Sequence, residues 1–261
     1  MITILALGDV VGRPGRQALR ALIPQYRQKM AIDLVIANGE NAAGGSGLDV
    51  KCAQEIRDAG VDIITLGDHT WQRGEINDYL EKNKDWCIRP TNYPPGAPGS
   101  GYAIKQVNNL SIGVFNIIGR VFINQFLDCP FRAADTLIAG PLKSCDVIIC
   151  DMHAEATSEK RAMGYFLDGR ATLVFGTHTH VQTADEAILP KGTAYITDLG
   201  MCGPSQSVLG LSTQISIDRF VTGLKHSYQV AEGPVALHGV LVKVDSESHK
   251  AQSIERVVLS T

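Results

Sequence analysis

Side chains of the types that bind metal ions follow several short apolar segments of this chain. The segments are residues 4–12 (ILALGDVVG), 35–45 (VIANGENAAGG), 63–71 (IITLGDHTW), 147–155 (VIICDMHAE) and 172–185 (TLVFGTHTHVQTAD). Each has the composition of a buried β-strand and then continues at once with Asp, Glu, Asn or His. Ligands of open α/β sheets bind outside the carboxyl ends of the strands, so these side chains are expected to meet at one rim. The recurrence predicts a metal centre built by the fold.

The sequence GTHTH at residues 176–180 is the sharpest local signal. Its two histidines, His178 and His180, stand two residues apart among small neighbours. In a loop, both imidazoles can converge on one ion, or each can bind one of two adjacent ions. Imidazole suits zinc, iron, nickel and copper, and it tolerates manganese. The alternative interpretation is a polar turn with two solvated histidines.

The acidic and amide residues at the strand ends are weaker signals when each is taken alone. Asp9 is either a metal ligand or the N-cap of the following helix. Glu40 can bridge two metals, and Asn41 can add a neutral oxygen ligand, although NGEN also fits a simple turn. Asp68 is a ligand candidate with helix capping as its alternative. Together these residues would add oxygen ligands to the nitrogen ligands that the histidines offer.

Two further histidines stand at predicted strand ends. His69 can bind a metal or act as a general acid, because an unperturbed imidazole titrates near neutral pH. His153 can bind a metal, and a lone surface histidine is the alternative. The other three histidines lack metal-type neighbours and are expected to be structural or solvated: His226, His238 and His249.

Composition and charge restrict the class of protein. The chain has 261 residues, of which 44% are hydrophobic and 20% charged, as in an ordinary globular α/β enzyme. Its formal net charge of −3 argues against a general nucleic-acid or anionic-membrane surface but permits a small phosphate ligand. No apolar segment approaches the roughly 20 residues that cross a bilayer. We therefore expect no stable nucleic-acid binding and no membrane association.

The six cysteines are scattered and form no CxxC pair. Disulfide frameworks belong to short secreted chains, so we expect free thiols and a cytoplasmic location.

The first third of the chain alternates strands with helices, which predicts parallel βαβ units. Strands are predicted at residues 2–7, 33–37 and 62–66. Helices are predicted at residues 14–29, 48–59 and 75–80. Pro24 is expected to bend or shorten the first of these helices.

The remainder of the chain is predicted to be richer in strands. Strands are predicted at residues 146–150, 172–175, 193–197, 235–244 and 253–259, with a helix at 155–166 and a hairpin of 102–107 with 110–115 around Asn108-Asn109. Two Gly-rich segments, residues 91–101 and 199–212, are predicted loops that could cover the site or form an interface in a homo-oligomer. One domain of two packed sheets is the simplest organisation.

The order Asp9, Glu40-Asn41, Asp68-His69, His153 and His178-x-His180 resembles the calcineurin-like metallophosphoesterases. Longer motifs resemble one branch of them, the YmdB-like bacterial cyclic-nucleotide phosphodiesterases. These motifs are GDVVGRPGR, NGENAAGGSG, DMHAEATSEK and GTHTHVQTAD. The resemblance implies an α/β fold in which one domain, residues 1–261, forms two packed mixed β-sheets flanked by helices, in four α/β/β/α layers.

The resemblance also implies a site for two divalent metal ions. The ligands implied for the first metal are Asp9, Glu40, Asn41 and His180. The ligands implied for the second metal are the bridging Glu40 together with Asp68, His153 and His178. Iron is expected first, with manganese or zinc as alternatives.

The implied activity is hydrolysis of a small phosphodiester, a 2′,3′-cyclic or also a 3′,5′-cyclic nucleotide. Metal-activated hydroxide attacks phosphorus, and His69 protonates the departing alkoxide.

The resemblance implies Asn immediately before the catalytic histidine, and this sequence departs from that pattern with Asp68. Three carboxylates, on Asp9, Glu40 and Asp68, then face two divalent ions, so the formal charge of the centre is +1 instead of +2. A less positive centre is expected to hold its second metal more strongly and a phosphodiester less tightly.

Two other functions stay open at this point. A regulatory protein could bind metal and nucleotide with slow turnover, and Asp68 is the feature that favours it. A metal-dependent hydrolase of C–N bonds also uses His-x-His, but it lacks further support in the sequence.

Overall fold

The computed structural model describes residues 1–260, whose strands form two sheets stacked face to face. The strands, in chain order, are β1 (Ile2–Val10), β2 (Leu34–Asn38), β3 (Ile63–Thr65), β4 (Cys87–Ile88), β5 (Tyr102–Val107), β6 (Leu110–Ile118), β7 (Val147–His153), β8 (Leu173–Thr177), β9 (Ala187–Ile188), β10 (Ala194–Ile196), β11 (Met201–Pro204), β12 (Val235–Val244) and β13 (Ala251–Ser260). The helices are α1 (Gly12–Lys29), α2 (Val50–Asp58), α3 (Ile76–Lys82), α4 (Pro130–Ala139), α5 (Thr157–Leu167) and α6 (Thr213–Thr222).

Both sheets are mixed. The first has the order β13-β12-β11-β1-β2-β3-β4, and the second has the order β5-β6-β7-β8-β10-β9. Strands β1 to β4 are parallel to one another, as are β6, β7, β8 and β10. The antiparallel strands lie toward the edges, where β12 pairs with β13 and β5 pairs with β6. The parallel strands at the centre therefore all end at the same rim.

Three apolar cores hold the layers together. The core between the sheets contains Ile4 of β1 and Phe175 of β8, both fully buried. On the outer face of the first sheet, Leu19 of α1 and neighbouring residues of α2 and α3 form a second core. On the outer face of the second sheet, Met163 of α5 packs with residues of α4. The predicted α/β/β/α arrangement of two mixed sheets flanked by helices is confirmed.

Most predicted elements are present, and several are longer than predicted. Strand β1 continues to Val10, so Asp9 lies within the strand, and β7 continues through His153. The hairpin is confirmed: Asn108 and Asn109 have φ of 48° and 66°, as a two-residue type I′ turn requires. All six cysteines are free, as expected. Within residues 1–260, no helix combines the length and apolar character needed to cross a membrane.

One expectation about local structure was wrong. Residues 199–212 are not all loop, because β11 lies within them and pairs in parallel with β1. Of the two effects expected of Pro24, a shortened helix is excluded, because α1 runs on to Lys29 as predicted. Helices α4 and α6 were not predicted at all.

Two glycines bring a single segment against both sheets. A Cβ on Gly8 of β1 would lie 1.8 Å from the carbonyl oxygen of Gly200, and a Cβ on Gly176 of β8 would lie 1.8 Å from that of Thr197. Only glycine allows so close a backbone approach. Residues 197–200 therefore contact the first sheet just before Asp9 and the second sheet two residues before His178.

Candidate metal centre

The fold brings the predicted ligand residues together at the carboxyl ends of β1, β2, β3, β7 and β8. Four of them, Glu40, Asp68, His153 and His178, offer ligand atoms that all lie within 4.8 Å of one another. Beside this group, Nε2 of His180 is 3.8 Å from Oδ1 of Asp9. Side chains from both sheets thus face one small volume.

Hydrogen bonds fix the orientation of His153, which is fully buried at the end of β7. The Thr177 hydroxyl donates to Oδ1 of Asp151 at 2.7 Å, so it accepts from Nδ1 of His153 at 2.9 Å. This leaves Nε2 directed at the cluster, where Oδ1 of Asp68 is 3.0 Å away. A histidine that binds a metal through one ring nitrogen usually makes a hydrogen bond through the other, which fixes the orientation of the ring.

The two histidines of the GTHTH motif present different nitrogens to the centre. Nε2 of His178 is 3.2 Å from Oε2 of Glu155, so its Nδ1 faces Nε2 of His153 at 3.0 Å. Nδ1 of His180 is 3.0 Å from the Leu209 carbonyl oxygen, which leaves Nε2 for the centre. Both residues have positive φ, 99° and 64°. Such strain in non-glycine residues is characteristic of functional sites.

Two buried oxygens at the site have no hydrogen-bond partner. They are Oδ1 of Asp9 and Oδ1 of Asn41, whose amide group donates to the Gly45 carbonyl at 3.3 Å instead. Burial raises the pKa of Asp9, although nearby His180 acts in the opposite direction. A buried polar atom without a partner costs about 1–3 kcal/mol, so two of them beside an imidazole suit a bound cation.

The donor set as a whole fits divalent cations. Nε2 of His153 and Nδ1 of His178 face each other at 3.0 Å, a contact that requires a proton or a cation between the two nitrogens. Burial acts to raise the pKa of Glu40, but His153 and His69 outweigh it and hold that pKa at about 2. Burial also acts to raise the pKa of Asp68, but its hydrogen bonds with His153 and His178 outweigh this effect and lower that pKa. Two ionised carboxylates among imidazoles form a set of N and O ligands for divalent transition metals.

His69 lies beside the cluster, oriented differently from the other histidines. Its Nδ1 is 3.1 Å from Oε1 of Glu40, and its backbone N–H donates to Oε2 of the same residue at 3.1 Å. The hydrogen bond with Glu40 raises the pKa of His69. One third of the side chain is exposed, toward a cavity of about 240 Å³ that Glu40, Asn41, His178 and His180 also line. His69 is therefore placed to give a proton to a ligand in this cavity.

Two of the simpler alternatives are wrong. Asp9 does not cap α1, whose N-cap residue is Val11 without a side-chain cap. His153 is not a surface histidine, since it is fully buried.

Sequence reasoning missed Asp198, which fixes the GTHTH loop by accepting hydrogen bonds from Thr179. Its Oδ2 accepts from Nζ of Lys160 at 2.6 Å, and from the backbone N–H and hydroxyl of Thr179 at 3.2 Å and 2.7 Å. The Lys160–Asp198 ion pair is almost completely buried. The signal that could have revealed Asp198 is its position just after β10, another strand end.

We expect Asp198→Asn to destabilise the protein by about 3–5 kcal/mol, because the buried ammonium of Lys160 loses its counter-ion. Urea unfolding of the chelator-treated protein measures this free energy. Asp135→Asn is the matched control: its ion pair with Arg170 is exposed, so a change within about 0.5 kcal/mol is expected. Equal stabilities of the two variants would contradict the structural role of the buried pair.

The stacked mixed sheets and the cluster at their common rim define the calcineurin-like metallophosphoesterase fold. A family model described as "YmdB-like protein" matches residues 5–257, and the chain belongs to this family, as the motifs indicated.

Comparison with individual proteins agrees with this. The chain is 47% identical over 257 residues to the 2′,3′-cyclic-nucleotide 2′-phosphodiesterase of Bacillus subtilis (strain 168), covering 98% of this chain and 97% of that protein. A hypothetical protein from Thermus thermophilus has a similar structure, with a TM-score of 0.93, 41% identity and 99% of each chain covered. So does a novel phosphatase from Mycoplasma pneumoniae, with a TM-score of 0.92 and 37% identity, covering 99% of this chain and 93% of that one.

Proposed function

We propose that this protein is a metal-dependent phosphodiesterase that hydrolyses 2′,3′-cyclic nucleotides, with 3′,5′-cyclic nucleotides as a second substrate class. The observation that carries the proposal is the convergence of ligand-type side chains from both sheets on one centre, with His69 at its open side. The name of the Bacillus subtilis relative supports the substrate class. We propose that residues 1–261 act as one domain, and the free thiols support a reducing, cytoplasmic compartment.

The proposed centre would hold two divalent ions. Asp9, Glu40, Asn41 and His180 would hold the first, and Asp68, His153 and His178 would hold the second together with Glu40, which would serve both. When bound, the ions would polarise the phosphate oxygens and activate a water molecule as the nucleophile. Iron is proposed first, and manganese or zinc would also suit these nitrogen and oxygen ligands.

The chain's own residues position the reacting groups and move the proton. Thr177, Glu155 and Leu209 each hold the outer nitrogen of one ligand imidazole, so the three rings keep their direction. Glu40 accepts from Nδ1 of His69, which leaves Nε2–H of the imidazolium to protonate the departing ribose oxygen. No covalent enzyme intermediate is required.

The test is elemental analysis of protein purified without chelator, together with hydrolysis of bis-p-nitrophenyl phosphate and 2′,3′-cyclic AMP. About two transition-metal ions per chain and turnover of both substrates are expected. Trace metal and no activity after manganese or iron is supplied would overturn the proposal. Bound metal with tight nucleotide binding but very slow turnover would instead favour a regulatory nucleotide-binding protein, the function toward which the extra charge of Asp68 points.

Asp68→Asn is expected to weaken the second metal site at least tenfold and to increase kcat/KM for phosphodiesters once that site is saturated. The substitution removes one negative charge from the cluster, where Oδ1 of Asp68 lies 3.0 Å from Nε2 of His153. Two opposite unit charges about 4 Å apart attract by about 4 kcal/mol at an effective dielectric of 20, so the loss of one carboxylate charge beside a bound cation weakens its binding. Competition with a chelator measures the metal affinity directly. Tighter metal retention in the Asn variant would contradict the charge argument.

A further inference from the structure

The cavity above the metal-type cluster has an apolar wall, which we define as Val11, Leu209, Leu211 and Tyr228. The charged residues lining the same cavity of about 240 Å³ belong to the cluster or to His69. Neither metal binding by the cluster nor proton donation by His69 requires these apolar side chains. A phosphate group needs polar contacts, so an apolar surface beside it indicates that another part of the ligand is apolar.

Backbone hydrogen bonds hold the apolar wall in place, although its residues lie in loops. Ser212 N–H donates to the Gln229 carbonyl, and Ala231 N–H donates to the Gly210 carbonyl, each at 2.9 Å. These bonds fix the segment that contains Tyr228 beside the segment that contains Leu209 and Leu211.

The wall is also continuous with the cluster. The carbonyl oxygen of Leu209 faces Nδ1 of His180 at 3.0 Å, so the residue that forms part of the wall also orients an imidazole of the centre. A ligand whose phosphate lies at the centre would therefore have its next group against this wall.

Apart from the histidine imidazoles, Tyr228 supplies the only aromatic ring among the described residues that line the cavity. Its side chain is 59% exposed. Arg219 of α6 hydrogen-bonds its hydroxyl, and the guanidinium carbon lies 5.1 Å from the ring centroid. The ring is thus held at the mouth of the cavity, while more than half of its surface is free to contact a ligand.

We propose that Tyr228 stacks on the base of the bound nucleotide and that the apolar wall makes the enzyme select nucleotides over phosphodiesters without a base. This inference rests on the proposed phosphodiesterase function. Every base has a π-face, so stacking of this kind accepts purines and pyrimidines alike. The enzyme is accordingly a general cyclic-nucleotide phosphodiesterase with little discrimination among bases.

The test compares two substrates that differ only in the base: 2′,3′-cyclic AMP and methyl riboside 2,3-cyclic phosphate. In the native enzyme, kcat/KM is expected to be about 5- to 150-fold higher for the nucleotide, the range found for one base–aromatic stack. Tyr228→Ala is expected to remove most of this ratio by lowering only the nucleotide value, and Tyr228→Phe to retain it.

Tyr165→Ala is the matched control, because Tyr165 is also exposed and also pairs with an arginine, Arg161, but lies on α5 and does not line the cavity. It is expected to leave the ratio unchanged. An unchanged ratio in Tyr228→Ala, with metal content and melting temperature intact, would overturn the stacking role.

Calorimetric binding of 3′-AMP separates this inference from the proposed function. Weaker binding by at least about fivefold in Tyr228→Ala than in Tyr165→Ala supports the stacking role even if the native protein hydrolyses neither substrate, in which case only the phosphodiesterase proposal fails. Hydrolysis of both substrates at equal kcat/KM, with equal 3′-AMP binding in the two variants, would overturn the stacking role and leave the phosphodiesterase in place.

Discussion

Replacing His153 with alanine is expected to reduce the metal content from the proposed two ions per chain to one or fewer and to lower phosphodiester hydrolysis on the order of 10³-fold or more. A bound metal is worth several kcal/mol of transition-state stabilisation, and each 1.36 kcal/mol is a factor of ten in rate. Nε2 of His153 lies 3.0 Å from Asp68 and 3.3 Å from Glu40, so the substitution removes one of the four clustered ligand-type side chains. Elemental analysis and the rate on 2′,3′-cyclic AMP measure both effects.

His226→Ala is the matched control for this substitution, because His226 is exposed and stands outside the cluster. It should retain both metals and full activity. The ligand role of His153 would be excluded if its alanine variant kept two ions per chain and native turnover. Unfolding curves of both variants in chelator separate loss of metal from loss of the fold.

His69→Ala should keep both metals yet lose about 10²- to 10⁴-fold in kcat on 2′,3′-cyclic AMP. The ribose alkoxide is a poor leaving group that needs a proton, and Nε2 of His69 is free to supply it while Nδ1 is bonded to Glu40. On bis-p-nitrophenyl phosphate the loss should be small, because p-nitrophenolate leaves without protonation.

Parallel kinetics on the two substrates, with metal content determined on the same preparation, provide the measurement. Equal losses of kcat on the two substrates would indicate that His69 positions the metals or the substrate instead of donating a proton. Full activity on the cyclic nucleotide would exclude the acid role altogether.

Much of the candidate site could be predicted from the sequence, because ligands of α/β sheets bind at the carboxyl ends of the strands. Glu40, Asp68 and His178 each follow an apolar segment directly, and the rule that parallel strands end at one rim places them together. The period and composition of those segments also predicted two sheets. Local patterns of this kind are visible because burial on both faces requires an unbroken apolar run.

Features that depend on distant contacts could not be predicted in this way. Strand β11 was hidden because Met201–Pro204 looks like a Gly-rich loop and is a strand only through its pairing with β1 and β12. Asp198 and Tyr228 gain their roles from neighbours far along the chain, Lys160 and the centre itself. No periodicity marks such residues.

The close approaches at Gly8 and Gly176 have a consequence for motion. The segment 197–200 touches the backbone of both sheets, immediately beside Asp9 and within the motif that carries His178. Moving the sheets apart would pull this segment from at least one of them, so we expect these contacts to oppose hinge opening between the layers. A ligand of the proposed centre is therefore expected to enter and leave through the cavity mouth beside Tyr228, with the two sheets held at a fixed spacing.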